Sequence, residues 1–525
     1  MHVKVLVSLL VTIFMAIGEY IFTINKSLGL SFFDYIETYL LVSIFLIVSI
    51  FSKNRFFSVL VATLIILGTG INIVFNQYFG RYLMPYDIAM FFNEVEDTSS
   101  GLLSGFNIFA KPLFWYLILY AIFVYFIFYK HNKEGKSKFI FLGLTIIFLV
   151  LSFIPVINGK KFEVNLHYSV VRNSISVYTA YIGSLFKDKE KNANKIYLPY
   201  KITKNNEKVN VIFIMGESSN FRHSSLYGYH RNTTPYLTSL KNQENFKFYR
   251  GVSRGFSTRI GVPLTLNVIQ EPDNSAQLLS LKTNLFQLAK NNGFNTFYLS
   301  NQKSGVLASL INARAVDEFH DVNSTKIPNN TTTDMRLIEF LSRSLSGKTD
   351  QPFFAVLHQR NHHFAYDENY PNEYDIYKNS TDKFQRLIDT YDNSFHFQDN
   401  FMKGLFSTVS NLTKKPTLIV YTSDHGELFG KDGLWGHGAP IIHTAGVPIF
   451  IYALNGADKL LNQSGLPEEC AISNYHLGKF VAKSIGWDVY NPNETKDFYV
   501  NISLPYDDAE GFKKFPYKEV LHALC

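Results

Sequence analysis

Five side chains could do chemistry together in this chain: Glu217, His363, Asp424, His425 and His437. Glu217 follows the apolar run Val209–Met215, and a carboxylate at the end of a buried strand needs a cation, a cluster of donors or a metal. Asp424 and His425 follow a second apolar run, Leu418–Thr422, within Ser423-Asp424-His425-Gly426-Glu427, and Gly436-His437-Gly438 comes shortly after. A third run, Phe353–His358, leads into Asn361-His362-His363. An Asp-His pair alone is weak evidence, because a capping aspartate beside a surface histidine gives the same pattern. Two carboxylates with several imidazoles make a mixed O/N ligand set that suits borderline metals such as zinc and disfavours magnesium or calcium. The pattern predicts that Glu217 ends its strand in order to bind a metal.

These residues can meet only if the runs that carry them are neighbouring strands ending on one side. From about residue 205, short apolar runs alternate with helical stretches, which predicts an α/β domain with a largely parallel central sheet. The expected strands are Val209–Met215, Thr296–Ser300, Phe353–His358, Leu418–Thr422 and Val447–Tyr452. Open α/β sheets place their sites beyond the carboxyl ends of strands, which is where the five residues fall. Asn301-Gln302-Lys303 follows the second strand and belongs to the same edge.

Residues 1–157 differ in kind, being dominated by Phe, Leu, Ile and Val. Five segments (about 5–24, 33–52, 56–76, 112–129 and 139–157) approach the roughly 20 residues needed to cross a bilayer. The first is a retained helix rather than a cleaved signal, since it ends in Thr23-Ile24-Asn25-Lys26 without an A-x-A-like site and more spans follow. Lys53 and Arg55 follow the second span, and Lys130, Lys133, Lys136 and Lys138 follow the fourth. By the positive-inside rule these two loops are cytoplasmic, which leaves everything after residue 157 outside. Beyond the last span, Val171, Ile175, Tyr178, Ile182 and Leu185 recur at helical spacing. Ordinary core packing or an interfacial helix would account for them, and the charged tract Lys187–Lys195 reads as a linker.

Composition excludes other classes. The chain has 525 residues with a net charge of +7, and its lysines are dispersed, so no nucleic-acid footprint is read. Its two cysteines, Cys470 and Cys525, exclude a disulfide scaffold and a CxxC zinc site and leave room for one bridge.

With "GESSNFRHSSLYGYHRNTTP" (216–235), "RGFSTRIGVPLTL" (254–266), "LHQRNHHF" (357–364) and "SDHGELFGKDGLWGHGAP" (423–440), the chain resembles the phosphoethanolamine transferases of Gram-negative envelopes. That family lies within the alkaline-phosphatase/sulfatase superfamily and includes lipid A modifiers and mobile colistin-resistance enzymes. The resemblance implies a five-helix N-terminal transmembrane domain (1–157), an interfacial helix and linker (158–208), and a sulfatase-like α/β periplasmic domain (209–525). It implies a monomeric, multi-pass protein of the bacterial inner membrane. The implied reaction moves phosphoethanolamine from phosphatidylethanolamine to an envelope glycolipid, lipid A or a core sugar, through a phospho-threonine.

Carried over by motif, Glu217, Thr258, Asp424 and His425 resemble the primary zinc ligands. Thr258 would also be the nucleophile, because the family places a threonine five residues before the proline of a Val-Pro pair, here Val262-Pro263. His363 and His437 resemble the histidines that hold the transferred phosphate, assist proton transfer or bind a weaker second zinc. Asn301 and Lys303 are matched to the phosphoethanolamine head, and Asn93 to the loop that receives the lipid donor. Many lipid A modifiers carry cysteines flanking the nucleophile where this chain has Arg254 and Leu264, and Arg259 stands where a small residue is common. Sulfatase activity is disfavoured because no C/S-x-P-x-R motif lies around 254–263. The alternatives are phosphoglycerol transfer to an envelope glycan, often with manganese, and an inactive glycan-binding relative. Joint retention of Glu217, Thr258, Asp424 and His425 argues against the last.

Overall fold

The computed structural model describes residues 2–23, 32–52, 54–79, 82–85, 87–88, 91, 106–129, 169–184, 196–302, 307–322, 333–467, 470–502, 504 and 511–525. The chain forms two compact units, Met1–Asp188 with Gly430–Gly436, and Lys189–Phe429 with His437–Cys525.

Among the described residues of the first unit, four helices are long and apolar enough to cross a membrane. These are α1 (His2–Thr23), α2 (Phe32–Ile50), α3 (Arg55–Gln77) and α4 (Phe106–Phe128). The fifth expected span, 139–157, lies outside the described residues, as do Asn93 and Lys303. Helix α5 (Val170–Ser184) carries the stripe that begins at Val171. Its first turn is satisfied by carboxylates of other helices: the Val170 amide donates to Glu19 Oε1 at 2.9 Å and the Ser169 amide to Asp34 Oδ2 at 3.1 Å. Tyr178 donates to the Gly68 carbonyl at 3.0 Å, and Val171 is buried whereas Ile182 is exposed. The early part of the stripe is therefore core.

The second unit is built on an eight-stranded sheet. In chain order its strands are β1 (Asn210–Gly216), β2 (Phe246–Val252), β3 (Asn295–Ser300), β4 (Glu318–His320), β5 (Phe353–His358), β6 (Thr417–Ser423), β7 (Gly446–Leu454) and β8 (Ala471–Ser473). Their order across the sheet is β8-β2-β7-β6-β1-β5-β3-β4. The central strands are continuously apolar because both faces are covered. Val211, Phe213 and Met215 enter one core with Val262 and Leu266 of helix α6 (Thr258–Leu266). Ile212 and Ile214 enter the other, with Phe401, Met402 and Leu405 of helix α7 (Lys383–Leu412).

The sheet is mixed rather than simply parallel. Strand β7, expected as Val447–Tyr452, runs antiparallel to both β6 and β2. A parallel return needs a crossover, usually a helix, whereas the segment between β6 and β7 holds only short strands and the one-turn helix Ile442–Ala445. That segment instead carries His425, Glu427 and His437.

Cys470 and Cys525 form a disulfide with Cα atoms 6.1 Å apart, tying the C-terminal helix α8 (Tyr517–Leu524) to the start of edge strand β8. The bond closes a sequence separation of 55 residues. On the chain-entropy account, replacing both cysteines by alanine should destabilise the second unit by about 4 kcal/mol. Chemical denaturation of the full chain in detergent should show this as a lower midpoint, and an unchanged midpoint would contradict it.

Candidate metal and phosphoryl-transfer site

The site begins where β1 and β6 end. Gly216 lies level with Ser423 in the parallel register, so Glu217 and Asp424 are adjacent one residue further on. At Gly216 a Cβ would lie 2.3 Å from the Tyr421 hydroxyl, so only glycine lets the two strands close up there. Ser218 has φ of 52°, in the left-handed region, a strained turn of the kind found where a site fixes its backbone.

The two oxygens of Asp424 are used differently. Oδ1 accepts from the Ser218 amide (3.0 Å), the His425 amide (2.8 Å) and Ser423 Oγ (3.2 Å). Oδ2 is buried without a hydrogen-bond partner and lies 3.4 Å from His425 Nε2. Glu217 Oε1 accepts from Ser218 Oγ at 2.7 Å and is 3.4 Å from His425 Nε2. His425 directs Nδ1 to the Gly426 carbonyl at 3.1 Å, which leaves Nε2 facing the carboxylates.

Thr258 is the first residue of α6, and its hydroxyl donates to Glu217 Oε2 at 3.0 Å and lies 3.4 Å from His425 Nε2. Helix α6 approaches this closely because Gly261 has no side chain: a Cβ there would lie 2.2 Å from the Asp424 carbonyl oxygen.

This donor set fits a metal. One ligand atom from each of Glu217, Asp424 and His425 lies within 4.8 Å of the others, and all three residues are buried. Burial, and next the Glu217 charge, push Asp424 up to about 6. Burial opposes ionisation of Glu217 too, yet its contact with His425 holds it well below the usual carboxylate range. Burial alone would lower His425, but Asp424 and then Glu217 raise it to about 10. Without a metal, the imidazolium supplies the positive charge that the buried carboxylates need, and a divalent cation would replace it.

A second group adjoins the first. His425, Glu427 and His437 also offer ligand atoms within 4.8 Å of one another. The His437 ring lies 4.5 Å from that of His425, and its Nδ1 is 3.3 Å from Glu427 Oε2. Tyr366 donates to the other Glu427 oxygen at 3.0 Å. His363 is half-buried with Nδ1 2.5 Å from the Phe364 carbonyl, within electrostatic range of the Glu217 carboxylate. Asn301 is buried and donates to Asp334 at 2.7 Å, holding the loop after β5 through a carboxylate that also accepts from the Arg360 and Asn361 amides.

Two further residues, Gln302 and Glu427, belong to the site although the sequence pattern gives them no role. Gln302 donates to Glu217 Oε2 at 2.8 Å, and Glu427 orients His437. Glu427 lies two residues after His425 in the same tract, a spacing that could have flagged it. Gln302 carries no charge and gave no such signal.

Residues 209–463 match the Sulfatase family. The chain is 28% identical over 239 residues to the Kdo(2)-lipid A phosphoethanolamine 7''-transferase of Salmonella typhimurium. That match covers 43% of this chain and 41% of the relative, so it spans about two fifths of the relative's own length. Among solved structures, the integral membrane lipooligosaccharide phosphoethanolamine transferase A (EptA) of Neisseria meningitidis aligns with a TM-score of 0.65 at 17% identity, covering 96% of this chain and 98% of that one. A zinc complex of the C-terminal periplasmic domain of EcEptC from Escherichia coli aligns with a TM-score of 0.51 at 19% identity, covering 62% of this chain and 97% of that one. Residues 209–463 thus resemble the Sulfatase domain, and the chain is similar to the phosphoethanolamine transferases in sequence and shares their fold.

Proposed function

We propose that this protein transfers phosphoethanolamine from phosphatidylethanolamine to an envelope glycolipid, lipid A or a core sugar, through a covalent intermediate on Thr258. The observation that carries the reading is the placement of the Thr258 hydroxyl, 3.0 Å from Glu217 Oε2 and 3.4 Å from His425 Nε2, among buried metal-type donors. In this reading 1–157 is the membrane part with five spans, 158–208 the connection and 209–525 the catalytic part, on the periplasmic side of the inner membrane. A membrane anchor suits a donor that stays in the bilayer.

Glu217, Thr258, Asp424 and His425 would hold one zinc, with a weaker second site at His363 and His437. When bound, zinc supplies Lewis-acid activation and neutralises charge on the phosphoryl oxygens. The Thr258 hydroxyl gives up its proton toward Glu217 Oε2, to which it donates, and its oxygen attacks phosphorus; the phosphorus–oxygen bond to diacylglycerol breaks, and the departing oxygen takes a proton. Thr258 opens a helix, so the amides of its first turn favour the negative charge of the transferred group. In this reading His437, whose Nδ1 lies 3.3 Å from Glu427 Oε2, gives that proton and, with help from His363, takes one from the acceptor hydroxyl or phosphate. The acceptor oxygen then bonds phosphorus, the Thr258–phosphorus bond breaks and Thr258 recovers its proton. Asn93, Asn301 and Lys303 belong to this reading as donor-side residues, Asn301 acting through Asp334.

Membranes containing the protein should convert fluorescent phosphatidylethanolamine to diacylglycerol, and mass spectrometry of envelope glycolipids should show an added phosphoethanolamine. A phosphoglycerol increment, or none, would overturn the proposal.

A further inference from the structure

We infer that Arg254 is a positioning residue for Thr258, a non-covalent clamp joining the chain that enters helix α6 to the chain that leaves it. The inference rests on the proposed role of Thr258 as nucleophile.

Arg254 is only 1% exposed, and its hydrogen bonds go to main-chain carbonyls rather than to a carboxylate. Nε donates to Ile269 at 2.9 Å, Nη2 to Gln270 and Nη1 to Tyr499. Ile269 and Gln270 lie just past the end of α6, and Arg254 lies four residues before its start. One guanidinium therefore closes a loop that contains the whole nucleophile helix. Burial lowers its pKa to about 10, so it stays charged at neutral pH. A buried charge is tolerated only when its donors are satisfied, and an apolar side chain would fill the same space without that desolvation. What the charge adds is a planar fork that bonds three carbonyls on two separate stretches of backbone at once.

The third arm matters as much as the first two. Tyr499 belongs to the strand Phe498–Asn501, which also grips the entering chain directly. The Asn501 amide donates to the Arg254 carbonyl at 2.9 Å, and the Phe256 amide donates to the Asn501 carbonyl at 3.2 Å. Residues 254–256 are thus held by side chain and main chain together.

Little slack separates this clamp from the reacting atoms. A Cβ on Gly255 would lie 2.6 Å from the Gly261 nitrogen, and one on Gly261 would lie 2.2 Å from the Asp424 carbonyl oxygen. The entering turn, the first turn of α6 and the Asp424 loop are stacked at the limit of contact. A shift of residues 254–256 would pass to Thr258, and a misplacement of about 1 Å at a reacting group can cost about 100-fold in rate.

The test uses the full-length protein in lipid nanodiscs, comparing wild type with Arg254→Met and Arg254→Lys. Methionine keeps length and apolar bulk without the fork; lysine keeps the charge and can reach one carbonyl. In Arg254→Met, amide hydrogen exchange at residues 255–262 should rise at least about 10-fold while residues 210–216 stay as in wild type. Zinc content should be unchanged, and kcat for transfer from phosphatidylethanolamine should fall at least about 10-fold with KM within about twofold. Arg254→Lys should recover part of both effects, and it carries the comparison alone if Arg254→Met does not fold. Unchanged exchange at 255–262 would overturn the clamp, as would an increase shared equally by 210–216 with lysine no better than methionine. Exchange needs no substrate, so it decides the clamp even if wild type transfers nothing, an outcome that would sink the proposed function instead.

Discussion

Thr258→Ala is expected to lose transfer by at least about 1,000-fold, more than 4 kcal/mol of transition-state stabilisation, while the protein still inserts and folds. Only a hydroxyl and a methyl are removed from a partly exposed first helical position whose N-cap is Ser257, so α6 keeps its start. The chemistry loses the one oxygen that lies 3.0 Å from Glu217 and 3.4 Å from His425. Thr258→Ser keeps that oxygen and should retain measurable turnover, reduced because serine lacks the β-branch that restrains χ1. Supplying donor without acceptor should leave phosphoethanolamine on the Thr258 peptide, and fragmentation must place it. The rivals are Ser253 and Ser257. Ser253 donates to the Gly255 carbonyl at 2.8 Å, which commits its hydroxyl elsewhere, whereas Ser257 Oγ is buried without a hydrogen-bond partner and is the control that matters. Near wild-type transfer by Thr258→Ala, or an adduct on Ser257, would require a mechanism built on another residue.

What the sequence shows well is what a single residue type can announce. Glu217, Asp424 and His425 follow apolar runs, and although the Asp-His pair alone has a bland explanation, the three together with His363 and His437 do not, so their convergence was legible. The burial of β1 was legible for a related reason, since the five consecutive apolar residues Val211–Met215 leave neither face of the strand polar. The direction of β7 was not, because Val447–Tyr452 has the same composition whichever way it runs. Its direction is set by the absence of a crossover helix after β6. Thr258 was visible only by resemblance, lying in a segment where any threonine would pass for structure. Arg254 is the sharpest case: by type it reads as a departure beside the nucleophile, and only the three carbonyls around it give it a purpose.

The metal should prove as sensitive as the nucleophile, and the unequal oxygens of Asp424 allow a substitution that separates ligation from folding. Oδ1 is saturated by the Ser218 and His425 amides and by Ser423, contacts that shape the turn, while buried Oδ2 has no hydrogen bond. Asp424→Asn can keep an accepting oxygen at Oδ1 and replaces Oδ2 by an amide nitrogen, which carries hydrogens and is no ligand. The variant should still fold, keeping the Oδ1 contacts while losing the Oδ2–His425 ion pair, and should bind zinc more than about 100-fold less tightly, since even groups that only hydrogen-bond to metal ligands account for about 10–100-fold. Asp424→Ala and His425→Ala should lose zinc too, Asp424→Ala with additional destabilisation because three buried donors are then unsatisfied. His437→Ala should keep the tightly held zinc and lose only the weaker second equivalent, because its ring adjoins His425 without belonging to the Glu217-Asp424-His425 group. Competition against a chelator, with total zinc measured by elemental analysis, reads all four variants. Equal zinc affinity in wild type, Asp424→Asn and His425→Ala would show that the cluster is a buried ion network neutralised by the His425 imidazolium rather than a metal centre, and Thr258 would then need another means of activation.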